Sequence, residues 1–345
     1  MASGTLTRIH IDGSMGEGGG QILRSSLALS ACLGKPFRIT NIRAARDRPG
    51  LQPQHLAAVK AVTAITDAYV EGDEKDSLEL LFNPSKVMGG EYHFAIGTAG
   101  STSLVLQAVL PALILADSSS SLILEGGTHN PFAPPFDFLQ QAFLPLLNRM
   151  GPIVTASLER PGFAPKGGGR IRVDIQPVNA LNSLELTKRG EILEQRAEVI
   201  LAHLPEHIAA REFAVIKQGL GITDNDLQLH FANNAYGAGN VVSAIIKSKY
   251  ITECFTAFGQ RGLPAEKVAN NVVKEVHRYL QAGVPVGKYL ADQLLLPLAM
   301  AGKSTFLTLK PSSHTLTNMN VISAFTGIQI QAEEVSDDAW IITIS

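Results

Sequence analysis

The sequence repeats one arrangement of apolar and polar segments three times, and this repeat constrains the fold more than any other feature. Each copy begins with small residues and continues with about a dozen residues whose apolar positions have helical spacing. A short β-rich run, a polar loop, a second helical pattern and a strand-like run follow in the same order. The copies begin near residues 19, 99 and 286. We therefore predict an α/β fold of three βαβαβ-type units that pack around a common axis and bury their helices together.

An insertion separates the second copy from the third. Residues 183–283 are more charged than the copies and end in a long amphipathic pattern. Pro264 stands where a helix would begin, and Gly283 stands where that helix would end. We predict two domains: residues 1–182 and 284–345 form the body of three repeats, and residues 183–283 form a smaller inserted α/β domain.

Charge and cysteine content exclude several classes of protein. The formal net charge is -2, so any anion site must be a local cluster rather than a basic surface. Cys32 and Cys254 lie far apart without metal-type spacing, which fits a reducing compartment. The longest apolar run contains Gln107 and Pro111 and is too short for a membrane span. The beginning of the chain has no signal segment, and we expect a cytoplasmic location.

A glycine-rich turn joins the first strand-like stretch, residues 7–13, to the first helical pattern. The turn reads "GSMGEGGG", and its free N–H groups and the helix end beyond it suit an anion. It is not a dinucleotide fingerprint, because Gln21 stands at the offset of the third glycine. Glu17 would repel phosphate unless it held Mg²⁺ against the phosphate oxygens, and Arg24 could neutralise phosphate charge. A tight turn with a solvated glutamate explains the same residues equally well.

An arginine-rich loop follows the first β-rich run. Arg43, Arg46 and Arg48 lie close together there, and Gln54 and His55 begin the next helical pattern. The planar guanidinium group suits bidentate contacts with phosphate. A solvated basic loop would look the same, but such a cluster in a chain of net negative charge favours a site for phosphate or the RNA backbone.

A proline-rich loop follows the β-rich run of the second copy, and a polar helical stripe lies in the first helical pattern of the third copy. Pro134 and Phe138 could form one wall of a slot for a base, although a stiff loop before a helix accounts for them too. Tyr289, Asp292 and Gln293 share one helical face. A buried polar pair there would need partners, whereas a solvent-facing stripe would not.

A single histidine stands out in the third copy. His314 lies in the loop that we predict after a strand, among serine, threonine and asparagine side chains. Most loop histidines are surface residues, but a neutral imidazole held by a carboxylate can attack phosphorus and form a phosphoramidate. The sequence contains no Gly-x-Ser-x-Gly elbow and no cysteine close to a histidine. Serine-hydrolase and thiol chemistry therefore have no support.

Five segments together resemble the RNA 3′-terminal phosphate cyclase family. Each segment alone is weak, but the set is specific and follows the expected order over nearly the whole chain. The segments are "GEGGGQILR" (16–24), "RPGLQPQHLAAVKA" (48–61), "GGTHNPFAPPFDF" (126–138), "YLADQLLLPLA" (289–299) and "SSHTLTN" (312–318).

The resemblance implies a definite reaction. This family uses ATP to convert an RNA 3′-phosphate into a 2′,3′-cyclic phosphate and releases AMP and pyrophosphate. His314 matches the histidine whose Nε2 takes AMP from ATP. The AMP then passes to the RNA 3′-phosphate, and the neighbouring 2′-hydroxyl attacks the activated phosphate. The resemblance also implies three related α/β repeats with one small inserted domain, as the pattern above predicts.

The resemblance further assigns residues to binding roles. Glu17 matches the carboxylate associated with Mg²⁺ or another divalent metal, and Asp292 would orient His314. The residues expected to line the phosphate and RNA site are Arg24, Arg43, Gln54 and His55. The residues expected to bind ATP are Gln107, Pro134, Phe138, Tyr289, Asp292 and Gln293, with Tyr289 stacking on adenine.

Two other functions are compatible with this fold. One branch of the fold family lacks the nucleophilic histidine and serves in ribosome assembly, so a non-catalytic RNA-binding protein is the main alternative. An enolpyruvyl transferase built on related repeats would use the arginine loop but would leave the histidine loop and the adenine slot without a role.

The apolar helices could also cover a face between two copies of the chain, so a homodimer is a further hypothesis.

Overall fold

Three four-stranded sheets with the same strand order form most of the protein. The structure is a computed structural model that describes residues 8–345. In each sheet the first two strands of the unit are parallel neighbours, and a helix crosses between them as parallel pairing requires. The fourth strand lies beside the second, and the third lies at the edge. The threefold repeat and the α/β class predicted from the sequence are therefore confirmed.

The first unit has the sheet order β1-β2-β4-β3. Residue 7, which the sequence assigns to its first strand, lies outside the described residues. The elements are β1 (Ile9–Asp12), α1 (Gly20–Leu33), β2 (Phe37–Thr40), α2 (Pro53–Thr66), β3 (Tyr69–Glu71) and β4 (Leu80–Asn83).

The second unit repeats this order as β5-β6-β8-β7. Its second helix contains a π-helical turn, Leu139–Phe143. Its first helix ends at Leu113, because tight turns follow that residue. The elements are β5 (Glu91–Ala95), α3 (Thr102–Leu113), β6 (Ser120–Gly126), α4 (Phe136–Phe138), α5 (Leu144–Arg149), β7 (Ile153–Arg160) and β8 (Gly169–Gln176).

The inserted segment contains a sheet of its own, whose first strand follows the two-residue strand β9 (Glu185–Leu186). Two helices cover one face of this sheet and share a separate apolar cluster with it. The long amphipathic helix begins after Pro264 and ends at Gly283, as predicted. The sheet order is β11-β10-β12-β13, and the elements are β10 (Ile192–Ala202), α6 (His207–Leu220), β11 (Leu227–Phe231), β12 (Gly239–Ser248), β13 (Thr252–Phe258) and α7 (Ala265–Ala282).

The third unit is completed after the insertion. Strand β9 pairs in parallel with its second strand, so Glu185 lies opposite Thr305. The division at residues 182/183 and 283/284 remains a prediction. The remaining elements are α8 (Lys288–Ala301), β14 (Ser304–Thr308), α9 (Ser313–Thr326), β15 (Ile330–Ser336) and β16 (Ala339–Ile344).

Each unit ends in two antiparallel strands rather than the single strand that the sequence predicts. The units are therefore βαβαββ. In the third unit the chain turns back at Asp338, which has a left-handed backbone (φ 63). Short turns of this kind divide one strand-like run into a hairpin.

The helices of the three units share one core. Helix α1 packs against α2, α3 and α9, and α8 packs against α9. Leu27, Val105, Leu294 and Ile322 are fully buried in the same apolar cluster. This packing brings the N-termini of α1 and α9 together, and the candidate site lies there.

Candidate functional site

The glycine turn between β1 and α1 places Glu17 beside the third unit. Gly16 has a left-handed backbone (φ 55), and a Cβ there would lie 2.1 Å from Thr317 Oγ1. The same Thr317 hydroxyl accepts a hydrogen bond from the Glu17 backbone N–H at 3.2 Å. The turn can therefore lie against α9 only because position 16 has no side chain.

His314 stands in the first turn of α9, not in the loop that the sequence predicts. The helix begins early because Ser312 caps it: the Ser312 hydroxyl accepts a hydrogen bond from Thr315 N at 3.1 Å. The His314 side chain is 50% exposed. Its Nδ1 lies 2.6 Å from Gln21 Oε1, and its Nε2 lies 2.6 Å from Glu17 Oε2.

Gln21 links the histidine to a buried carboxylate. Its Nε2 donates to Asp292 Oδ1 at 2.7 Å, which leaves its Oε1 facing the histidine. An amide oxygen only accepts, so Nδ1 of His314 must carry a proton. In the neutral ring Nε2 then holds the free electron pair. Asp292 therefore acts on His314 through Gln21. Burial raises the pKa of Asp292, while the Gln21 hydrogen bond and the charges of His314 and Arg24 oppose that rise.

The Glu17 carboxylate has one well-placed partner and one incomplete contact. Its Oε1 accepts from the Arg46 guanidinium at 2.7 Å. Its Oε2 is buried and lies 2.6 Å from His314 Nε2, but it accepts no hydrogen bond from the described residues. A buried carboxylate oxygen with an unused electron pair fits a divalent cation. Among residues 8–345, no three acidic, histidine or cysteine side chains form a metal cluster, so substrate phosphate would have to supply further ligands.

Arg24 and His55 form a basic wall above Gly20. A Cβ at Gly20 would lie 2.4 Å from His55 Nε2 and 3.0 Å from an Arg24 nitrogen. Burial lowers the pKa of Arg24 to about 10, although Asp292 and Glu17 raise it. Its Nε is buried without a partner, so it is free to donate. Burial, with the charges of Arg24 and Arg43, lowers the pKa of His55 to about 3.

The neutral ring of His55 has a fixed tautomer. Its Nδ1 accepts a hydrogen bond from Gln52 N at 3.1 Å, within the capping box of α2. The proton is therefore on Nε2, on the side of Gly20 and Arg24. Arg24 and His55 therefore offer an anion two kinds of hydrogen-bond donor, a charged guanidinium and a neutral imidazole.

Two other predicted phosphate residues hold the surrounding backbone. One Arg43 nitrogen donates to the carbonyls of Arg48 at 2.5 Å and Gly50 at 3.0 Å, which shapes the arginine loop. Gln54 Oε1 accepts from Ser101 N at 3.0 Å, at the N-terminus of α3. The phosphate roles of Arg43 and Gln54 remain predictions.

A cleft of about 280 Å³ opens beside His314; we call it the nucleotide cleft. All six residues that the sequence assigns to ATP line it together with Gln21, Arg24 and His314. Gln107 of α3 donates to Gln293 of α8, so amides from two units meet at its base. The Tyr289 ring is 57% exposed and carries the Lys288 ammonium 4.6 Å from its centroid.

Sequence reasoning does not identify the roles of four residues of this site. The sequence marks Gln21 only as the residue in place of a third glycine, although its side chain connects two units. It marks Arg46 only as one of three arginines, although the contact with Glu17 distinguishes it. Thr256 and Phe258 of the inserted strand β13 line the nucleotide cleft, and no motif marks them.

Comparison with known proteins gives one family. The family model described as RNA 3′-terminal phosphate cyclase matches residues 15–332. A curated RNA 3′-terminal phosphate cyclase from Koribacter versatilis (strain Ellin345) is 46% identical over 329 residues, which cover 95% of this chain and 93% of the relative.

Solved structures with a similar chain include an enolpyruvyl transferase. The enolpyruvyl transferase NikO from Streptomyces tendae matches 97% of this chain and 48% of its own chain, at 11% identity and a TM-score of 0.38. No helix among the described residues is long and apolar enough to span a membrane.

Proposed function

The chain belongs to the RNA 3′-terminal phosphate cyclase family, and from this premise we propose that it converts RNA 3′-phosphates into 2′,3′-cyclic phosphates with ATP as co-substrate. His314 is the nucleophile. The observation that carries this assignment is the contact of Nδ1 with Gln21, because it leaves the electron pair on Nε2. Neither comparison favours the non-catalytic alternative.

In the first step, His314 Nε2 attacks the α-phosphorus of ATP. An N–P bond forms, the bond to the bridging oxygen breaks, and pyrophosphate leaves with that electron pair. Glu17 must first move away from Nε2, which it approaches to 2.6 Å. Gln21 and Asp292 keep the ring oriented and stabilise the positive charge that develops on it.

In the second step, an oxygen of the RNA 3′-phosphate attacks the same phosphorus and the imidazole leaves. Arg24, His55 and Arg46 would neutralise the two anions as they approach each other. In the third step, the adjacent 2′-hydroxyl attacks the RNA phosphorus, its proton passes to solvent, and the bond to AMP breaks so that AMP departs with that electron pair. The hydroxyl is already held next to the phosphate, so its effective concentration is high. Only RNA carries that hydroxyl.

A divalent metal would be held by Glu17 together with phosphate oxygens of the substrate, and it would supply charge neutralisation at those oxygens. Glu17 Oε2 supports this role, because it is buried and accepts no hydrogen bond from the described residues. Magnesium as the metal, a homodimer and a cytoplasmic location remain predictions from the sequence.

Labelling tests the proposed nucleophile directly. We expect that protein incubated with ATP labelled at the α-phosphate retains label after denaturation, and that the label is lost in acid and kept in alkali. His314→Ala should carry none. His10→Ala, which removes an exposed histidine of β1, should be labelled like the wild type. Label on His314→Ala, or none on a wild type that binds ATP, contradicts the assignment.

A further inference from the structure

A second and larger cleft adjoins the nucleotide cleft. It measures about 750 Å³ and lies between the second unit and the inserted sheet; we call it the inter-unit cleft. Pro131 and Phe258 line both clefts, so the two meet at these residues. A chain whose end is bound at His314 could therefore continue into the inter-unit cleft.

The lining of the inter-unit cleft is basic. It includes His207, Arg211 and Arg261, and none of its lining residues is an aspartate or glutamate. Arg211 is held by Glu266 at 2.6 Å, whereas Arg261 has no acidic partner within 4 Å among the described residues. Helix α7 begins at Ala265, on the wall of the cleft, and Glu266 in its first turn offsets the positive end of its dipole. The unpaired Arg261 therefore gives the cleft its local positive charge, in a chain whose net charge is -2.

An aromatic side chain stands at the junction of the two clefts. Phe132 is 96% exposed, follows the shared Pro131, and lines the nucleotide cleft. Other large apolar side chains at the surface are less exposed; Tyr236, for example, is 62% exposed. Phe132 lies in a loop with prolines at 131, 134 and 135, which limit its freedom to fold inward. An exposed aromatic ring beside a basic groove is an arrangement that binds single-stranded nucleic acid.

We infer that the inter-unit cleft binds the single-stranded RNA that precedes the 3′-terminal nucleotide. A base near the 3′ end stacks on Phe132, and Arg261 and His207 contact the phosphates upstream. This inference rests on the proposed function and gives the inserted segment a role in substrate binding. Binding is tolerant of base sequence, because every base has a face to stack and every nucleotide a phosphate.

The test uses an RNA that binds but cannot cyclise. A single strand of about ten nucleotides with a 3′-phosphate and a terminal 2′-deoxy nucleotide lacks the attacking hydroxyl, so fluorescence anisotropy reports binding alone. We expect Phe132→Ala and Arg261→Ala each to weaken binding about tenfold, because the first loses a stacked base and the second loses a phosphate contact. Arg261→Ala should also reduce the slope of log affinity against log salt by about 0.7.

Matched controls remove similar groups elsewhere. Tyr69→Ala removes an aromatic ring that is 60% exposed on β3, and Lys274→Ala removes an exposed cation of α7. Both should bind the RNA like the wild type. Wild-type affinity in Phe132→Ala and Arg261→Ala, or equal losses in the controls, would overturn the inference.

Activity with short and long substrates separates this inference from the proposed function. We expect the KM for a strand of about ten nucleotides to be well below the KM for a dinucleotide 3′-phosphate. Phe132→Ala and Arg261→Ala should raise the KM for the longer strand and leave the KM for the dinucleotide unchanged. A wild type that cyclises both substrates with the same KM contradicts the RNA cleft and leaves the cyclase standing. A wild type that is not labelled by ATP and cyclises neither contradicts the proposed function itself.

Discussion

Two histidines follow the second strand of their unit, yet they differ in burial and in the partners of their second ring nitrogen. His129 of the second unit is fully buried, stacks on Phe163, and has a partner for each ring nitrogen: Thr128 Oγ1 at 2.7 Å and Asp137 Oδ2 at 3.1 Å. His314 of the third unit is half exposed and lines the nucleotide cleft, with its Nε2 2.6 Å from Glu17 Oε2.

The difference indicates how a structural histidine is distinguished from the proposed nucleophile. Both rings have a polar partner on one side, so a hydrogen bond alone does not distinguish them. His129 has no nitrogen left to offer a substrate, and its contacts contribute only to folding. His314 has one nitrogen fixed by Gln21 and another beside a carboxylate that substrate can displace. The position in the repeat is shared, but the function depends on the second nitrogen.

The largest effect is expected from His314→Ala. It should abolish cyclisation, at least about a thousandfold, because no other group replaces the nucleophile. Its free energy of unfolding should stay within about 0.5 kcal/mol of the wild type, since the side chain is half exposed. Turnover assays and urea denaturation measure the two quantities. A large loss of stability would mean that His314 is structural like His129.

His129→Ala should have the opposite effects. It leaves a cavity and an unpaired Asp137 in the interior, and we expect a loss of about 3 kcal/mol in the free energy of unfolding. Below its melting temperature the folded variant should keep its ATP labelling. His10→Ala, at an exposed position, is the control for removing an imidazole. Loss of labelling in a fully folded His129→Ala protein would break the distinction between the two histidines.

Asp292→Asn tests the link through Gln21. An amide can present either oxygen or nitrogen to Gln21, so it no longer fixes which end of Gln21 faces the histidine. We expect the rate of labelling to fall about 10- to 100-fold with little change in the KM for ATP. Asp174→Asn, at an exposed position of β8, is the matched control. A raised KM with an unchanged rate would instead make Asp292 a residue that binds ATP directly.

Much of this arrangement could be predicted because the signals are local. The order of the elements follows from helical spacing and from residues that begin or end helices, such as Gly34 after α1 and Pro264 before α7. These signals need no knowledge of packing. The sequence could not reveal the contact between Gln21 and His314, because the two residues are 293 positions apart. Nor could it reveal β9, since two residues carry no periodicity and the insertion separates them from their partner strand.

The arginine loop shows the same limit within a short segment. Residue type alone made Arg43 a candidate for phosphate, yet one of its nitrogens bonds two carbonyls of its own loop. Arg46 reaches Glu17 instead. Which arginine points into the site depends on backbone conformation, and Arg43 has a left-handed backbone (φ 54) that composition does not predict. Three arginines close together in sequence therefore indicate a basic site without indicating which groups each side chain contacts.

The smallest effect, and the sharpest test of the buried pair, is the pH dependence of Asp137→Asn. Burial alone would raise the pKa of Asp137, but the charge and hydrogen bond of His129 outweigh it and hold the pKa below its usual value. A carboxyl with a lowered pKa stabilises the fold above its unfolded pKa, about 3.9, and that contribution is lost as pH falls through the folded value. We expect the wild type to exceed Asp137→Asn by about 1 kcal/mol near neutral pH. Urea denaturation should show that gap closing below about pH 4, whereas Asp174→Asn should show no such gap. A gap that widens in acid would mean that the pair opposes folding.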